Sequence, residues 1–242
     1  MPLPGSEKVA ARPLHFIWIV DVSGSMAVDG KIQSLNQAIK DAIPAMQDVA
    51  KGNPFADVFV RAVRFSSGAQ WHVASPTPVR DFQWKDLSAE GVTDMGAALG
   101  MVADSLSVEQ MGERGYPPVL VLVSDGQPTD DYRSGIAKVM ATNWGRKAVR
   151  LAIAIGADAD HGSLSTFIGD VERPVLKADN AESLTQYIKW VSTIVVGVVS
   201  SPPSKTTPIE GTGSSGGGYE SPEIFDTPIP PPPLPVSDTQ VW

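Results

Sequence analysis

An apolar run that ends in a short polar loop lies near the beginning of the chain, at residues 14–26 (LHFIWIVDVSGSM). The near-continuous apolar stretch Leu14–Val20 is typical of a β-strand covered on both faces. Beyond the loop, apolar residues recur every three or four positions from Ile32 to Val49, which predicts an amphipathic helix that Pro44 should kink. This stretch therefore predicts a strand, a polar loop and a helix in succession.

The same alternation of strands and helices continues to residue 199. Further strands are predicted at Phe55–Phe65, Gln70–Val73, Val119–Val123, Ala148–Ile155 and Val175–Leu176. Further helices are predicted from Met95 to Leu106 and at Tyr132–Thr142, Leu164–Ile168 and Ala181–Val199. The alternation in the second strand places Arg61 and Arg64 on exposed positions. The pattern indicates an α/β fold, doubly wound, with a mostly parallel central sheet and helices on both faces.

Oxygen-bearing side chains occur where two of these strands end and where one helix begins. They are Asp21, Ser23 and Ser25 after the first strand, Thr93 before the helix at Met95, and Asp125 after Val119–Val123. Ligands of open parallel sheets bind beyond the carboxyl ends of the strands, and hard divalent cations prefer oxygen ligands. Each segment alone also fits a turn or a helix cap. Their order and placement together favour a metal site.

These residues, within IVDVSGSM (19–26) and LVSDGQPTD (122–130), resemble the metal-ion-dependent adhesion site (MIDAS) of von Willebrand factor type A (VWA) domains. The resemblance covers residues 13–199 and is strongest to bacterial tellurium-resistance TerY-like proteins. It implies that the hydroxyls of Ser23, Ser25 and Thr93 approach Mg²⁺ or Mn²⁺. It also implies that Asp21 and Asp125 act largely through water or hydrogen bonds, and that a Glu or Asp of a partner protein completes the site. Val92 departs from the second glycine that is common before this threonine.

The function that the resemblance implies is a metal-dependent protein-binding module, a scaffold or adaptor rather than an enzyme. TerY-like proteins are often encoded beside a PP2C-type phosphatase and a protein kinase. We therefore expect a bacterial stress or phosphorylation-signalling system, with a Ser/Thr kinase and a PP2C-type phosphatase as partners.

Two alternative functions stay open. A Mg²⁺-dependent phosphatase-like hydrolase of the haloacid dehalogenase type also has an Asp after its first strand, but its general acid two positions later is replaced here by Ser23. An extracellular adhesin with the same fold is the other alternative.

The absence of cysteine excludes a disulfide framework and a thiolate metal site. The net charge of -8 argues against nucleic acid as a partner.

Composition changes near residue 200, where Pro, Gly, Ser and Thr become dominant. A VWA domain at residues 13–199 followed by a flexible tail at residues 200–242 is predicted, because the tail has too little apolar surface to offset the entropy of ordering it. Candidate phosphosites in the tail, each followed by proline, are Thr207, Ser221 and Thr227. Phosphorylation would add charge that creates or breaks docking, and a solvated linker without a regulated site is the alternative.

A second hypothesis for the tail places the carboxylate of Glu223 or Asp226 on the open metal position, where it would block partners.

The sequence indicates no targeting or membrane segment, because Leu14–Val20 runs directly into Asp21 and Trp190–Val199 has about half of the roughly 20 residues that a membrane crossing needs. We therefore expect a cytoplasmic protein.

Overall fold

A computed structural model describes residues 11–200 and 229–234, and a six-stranded sheet lies at the centre of this part of the chain. Its strands are Arg12–Asp21 (β1), Ala56–Ser66 (β2), Gly68–Pro78 (β3), Val119–Ser124 (β4), Val149–Ile155 (β5) and Leu176–Ala178 (β6). The spatial order is β3-β2-β1-β4-β5-β6, and neighbouring strands are parallel except for the antiparallel pair β2–β3. The predicted α/β fold with a mostly parallel sheet is confirmed.

Helices connect most of the strands in the described residues. They are Lys31–Gly52 (α1), Met95–Ser105 (α2), Val108–Met111 (α3), Tyr132–Ala141 (α4), Asn143–Lys147 (α5), His161–Ile168 (α6), Ala181–Trp190 (α7) and Val196–Val199 (α8). Short 3₁₀ segments lie at Gly24–Gly30 and Val79–Asp81, and a π-helical turn at Val191–Val195 joins α7 to α8. Helix α1 continues through Pro44.

Strand β1 occupies the middle of the sheet and contributes to two hydrophobic cores. Phe16 and Trp18 lie in the core that the sheet forms with α1 and α7, whereas Ile17 and Ile19 lie in the core that it forms with α2, α4 and α6. Successive side chains of a strand point to opposite faces. Helices therefore cover both faces of β1, which explains its near-continuous apolar sequence.

Two features of the β2–β3 edge differ from the sequence predictions. Strand β3 extends over Gly68–Pro78, beyond the short apolar stretch Gln70–Val73, and most of the residues of this edge strand are partly or fully exposed. The predicted exposure of Arg61 is wrong. Its buried guanidinium lies 3.8 Å from the centre of the Trp71 ring and donates a 2.8 Å hydrogen bond to Gln110 Oε1. The aromatic face and the amide oxygen replace part of the hydration that this cation loses.

Only a small part of the predicted tail is described. Ile229 is partly buried and packs against the core beneath α1 and α7. The candidate phosphosites Thr207, Ser221 and Thr227 lie outside the described residues, as do Glu223 and Asp226. Within residues 11–200 and 229–234, no helix is both long enough and apolar enough to cross a membrane.

Candidate metal centre

The positions of the five predicted site residues relative to one another depend on the register between β1 and β4. These neighbouring strands are parallel, and Val20 pairs with Val123. Because their carboxyl ends lie at the same edge of the sheet, the loop that begins at Asp21 meets the loop that begins at Ser124. The Ser124 hydroxyl donates a 2.5 Å hydrogen bond to Asp21 Oδ2, which joins the two loops directly.

The Asp21 carboxylate is buried and accepts hydrogen bonds on both oxygens. Its Oδ2 accepts from Ser124, and its Oδ1 accepts from the backbone N–H of Ser23 at 2.8 Å. Burial raises the pKa of Asp21 to about 6, and the charge of Asp125 adds to this rise, although the hydrogen bonds from Ser124 and Ser23 oppose it. Because both oxygens already accept hydrogen bonds, Asp21 is suited to attract a cation by its charge and to contact it through intervening groups.

A chain of side-chain hydrogen bonds links the first loop to Asp125. The hydroxyl oxygens of Ser23 and Ser25 are 3.0 Å apart, and Ser25 donates to Asp125 Oδ1 at 2.7 Å. The other oxygen of Asp125, Oδ2, accepts a 2.8 Å hydrogen bond from Lys31 Nζ. Asp125 is therefore fixed between a hydroxyl and an ammonium group.

Thr93 reaches the same place from the segment between β3 and α2. The backbone N–H of Gly24 donates to the carbonyl of Gly91 at 3.0 Å, which attaches this segment to the first loop. A Cβ atom on Gly126 would lie 3.4 Å from Thr93 Oγ1 and 3.5 Å from Ser25 Oγ. Both hydroxyl oxygens therefore lie within 3.5 Å of one point beside Gly126, where glycine leaves space. The structure thus brings all five predicted residues together.

Gly91 has a backbone conformation that requires glycine. Its φ is +84°, and a Cβ atom there would lie 2.7 Å from Ser67 Oγ. A side chain at this position would both strain the backbone and collide with Ser67. The route of the chain into Thr93 therefore depends on this glycine.

Several residues that hold the site in place were not found by the sequence analysis. Asp94 accepts a hydrogen bond from the Thr129 hydroxyl at 2.9 Å, and Thr129 in turn accepts one from the Thr93 backbone N–H at 3.1 Å. Asp130 accepts 2.8 Å hydrogen bonds from the N–H groups of Gly96 and Ala97 at the start of α2. Asp130 lies within LVSDGQPTD (122–130), but its role depends on a contact between distant segments that no spacing reveals.

The donor set fits a hard divalent cation. Its oxygens come from Ser23, Ser25 and Thr93, with Asp21 and Asp125 beside them, and hydroxyl and carboxylate oxygens are ligands that Mg²⁺ and Mn²⁺ accept. Thr93 is held through its backbone, whose N–H donates to Thr129 Oγ1 at 3.1 Å. Nowhere in residues 11–200 and 229–234 do three His, Cys, Asp or Glu side chains gather to hold a metal, so a cation here would depend on the hydroxyls.

The rim of the site combines apolar and polar groups. Val28 is 54% exposed and Val92 is 48% exposed, and they lie in the two loops that carry Ser25 and Thr93. A polar cavity of about 330 Å³ adjoins the Gly91 loop, with Arg64 and Glu90 in its lining.

The model of the von Willebrand factor type A domain matches residues 17–190. No curated protein matches the chain.

Solved structures with a similar fold come from archaea, bacteria and animals. The von Willebrand factor type A protein of Catenulispora acidiphila is 17% identical with a TM-score of 0.59, and the match covers 77% of this chain and 43% of that one. The ArnB paralog VWA2 of Sulfolobus acidocaldarius is 16% identical with a TM-score of 0.56, and the match covers 74% and 45% of the two chains.

A third similar structure is proximal thread matrix protein 1 of the mussel byssus, described with a zinc-occupied MIDAS motif. It is 16% identical with a TM-score of 0.56, and the match covers 76% of this chain and 46% of that one. In all three cases the match spans less than half of the other chain. At these identities the similarity establishes the fold.

Proposed function

We propose that this chain, which belongs to the von Willebrand factor type A domain family, is a metal-dependent protein-binding module that acts as a scaffold or adaptor. One observation carries the proposal. The hydroxyl oxygens of Ser25 and Thr93 both lie within 3.5 Å of one point beside Gly126, and Ser25 donates to the carboxylate of Asp125 at the carboxyl ends of β1 and β4.

The proposed ligand roles follow from the hydrogen bonds. Ser23, Ser25 and Thr93 would hold Mg²⁺ or Mn²⁺ with their hydroxyls, whereas Asp21 and Asp125 would contribute charge through hydrogen bonds or water. When bound, the cation supplies a Lewis-acid position for a Glu or Asp of a partner protein. The zinc-occupied MIDAS motif of the mussel protein supports a divalent cation at such a site.

A binding module is a better account of the site than the haloacid dehalogenase alternative. A nucleophilic Asp must reach its substrate, but the Asp21 side chain is fully buried, with Ser124 and Ser23 on its two oxygens. A general acid is also needed two residues later, and Ser23 is a poor proton donor at neutral pH. We propose on these grounds that the chain is not an enzyme.

The finer assignments follow from the TerY-like resemblance. We propose a cytoplasmic phosphorylation-signalling or stress system as the setting, with a Ser/Thr kinase and a PP2C-type phosphatase as partners that present a carboxylate to the metal. An extracellular adhesin remains the second candidate, since the same site chemistry serves both.

Co-purification with candidate kinases and phosphatases in Mg²⁺ and in chelator tests the proposal. We expect binding in Mg²⁺ that is lost in chelator and in Thr93→Val. The matched control is Thr185→Val, which alters a partly buried threonine of α7, far along the chain from the site, whose hydroxyl donates to the Ala181 carbonyl. Partner binding that survives in chelator would contradict the proposed role of the metal, and phosphate-ester hydrolysis that Asp21→Asn abolishes would support the enzyme instead.

A further inference from the structure

Lys31 is a buried cation at the candidate metal centre. It is the first residue of α1, and its side chain is 11% exposed. Its Nζ lies 2.8 Å from Oδ2 of Asp125, whose own side chain is fully buried. The ammonium group therefore lies against one of the two carboxylates that a cation at this site would need.

The preferences of helices and of protein interiors do not explain this placement. The N-terminus of a helix has a positive potential, which favours acidic rather than basic residues in the first turn. Lysine is also among the side chains least often buried, and a buried ion pair loses hydration that its attraction often fails to offset. Helix formation does not favour a lysine here, and its ion pair with Asp125 places its charge in the site.

The charges of the centre show what that role can be. The two carboxylates of Asp21 and Asp125 carry two negative charges, and Lys31 leaves one net negative charge. A divalent cation then gives the centre one net positive charge, which an incoming carboxylate neutralises. Without Lys31 the centre with its cation would already be neutral, and a carboxylate ligand would make it negative.

We propose that Lys31 sets the ligand specificity of this centre. Its charge lowers the affinity of the protein for the metal alone and makes an anionic ligand, here the carboxylate of a partner, favourable as the completing group. This inference rests on the proposed function, and it assigns to Lys31 the coupling between the metal and the partner.

The metal alone is the first probe. We expect Lys31→Met to bind Mn²⁺ more tightly than the wild-type chain, by on the order of tenfold, because one positive charge close to the cation is removed. Lys31→Arg, which keeps the charge, should retain the wild-type affinity. The matched control is Lys40→Met on the same helix, which removes an ion pair with the exposed Asp86 and should leave Mn²⁺ binding unchanged. Isothermal titration calorimetry measures all four proteins.

Acetate is the second probe, as a minimal carboxylate. Saturating acetate should tighten Mn²⁺ binding in the wild-type chain and in Lys31→Arg, and should do so less in Lys31→Met. A purely structural role for Lys31 would lower the melting temperature without changing this coupling. If Lys31→Met does not fold, Lys31→Gln replaces it, since the amide can still donate to Asp125 without a charge.

The outcomes separate the two proposals. If the wild-type chain binds Mn²⁺ and Lys31→Met binds it equally or more weakly, the inference about Lys31 is wrong and the proposed function stands. If neither the wild-type chain nor any Lys31 variant binds Mn²⁺, the metal-dependent function is wrong and the inference fails with it.

Discussion

Asn36 of α1 fastens the irregular segment that leads from β3 towards Thr93. Its side-chain amide donates to the Leu87 carbonyl at 2.9 Å, and its Oδ1 accepts from Trp84 Nε1 and from the Leu87 N–H, both at 2.9 Å. All three residues are buried. We expect Asn36→Ala to leave two donors and one acceptor without protein partners.

The loss in the free energy of unfolding that Asn36→Ala should cause follows from these contacts. Each net hydrogen bond contributes about 1 kcal/mol, and a buried group left unpaired costs about 1–3 kcal/mol. Three groups therefore predict a loss of at least about 3 kcal/mol in the free energy of unfolding. For a folded unit of this size, that corresponds to a fall of roughly 6–12 °C in melting temperature.

Urea unfolding followed by circular dichroism measures the change. The matched control is Gln47→Ala on the same helix, which removes a 3.0 Å hydrogen bond to the Val79 carbonyl and a long one to Arg80, from a partly buried side chain. This variant should lose only about 1 kcal/mol. Equal losses in the two variants, or a loss below about 1 kcal/mol in Asn36→Ala, would refute the reasoning.

Two further variants test the pH dependence and the Gly91 turn. Burial, with the charge of Arg61, lowers the pKa of His15 from 6.5 to about 4, so between these values the unfolded chain binds a proton that the folded chain does not. The free energy of unfolding should therefore fall by about 2 kcal/mol from pH 7.5 to pH 5 on account of this residue. Urea titrations should show that this loss is removed in His15→Phe. An undiminished loss in that variant would contradict the lowered pKa of His15. Gly91→Ala should lower the free energy of unfolding by about 1–3 kcal/mol because of the positive φ at this position and the contact with Ser67. It should also weaken Mn²⁺ binding by moving Thr93. Calorimetry that finds wild-type affinity would exclude this coupling between the Gly91 turn and the metal.

The central strands were predictable because their environment is uniform. Both β1 and β4 are covered on both faces, so their sequences are apolar throughout and end in polar loops. The parallel arrangement then places those loops at one edge of the sheet. This reasoning located all five residues, and the resemblance added their separate roles at the metal. The roles of the five residues as metal ligands remain predictions.

Other features depend on contacts that no local pattern records. The burial of Arg61 requires Trp71 of β3 and Gln110 of α3, which come together only when the sheet edge folds. Nothing near Lys31 in the sequence distinguishes it from a surface lysine, except that it is a basic residue in the first turn of a helix, where basic residues are disfavoured. Its position against Asp125 depends on how α1 packs relative to the end of β4.

A crystal soaked in Mn²⁺ and measured at an anomalous wavelength tests the central claim most directly. We predict a single strong anomalous peak at the ends of β1 and β4, within coordination distance of the hydroxyls of Ser23, Ser25 and Thr93. No peak there, or a peak that Thr93→Val leaves undiminished, would contradict it.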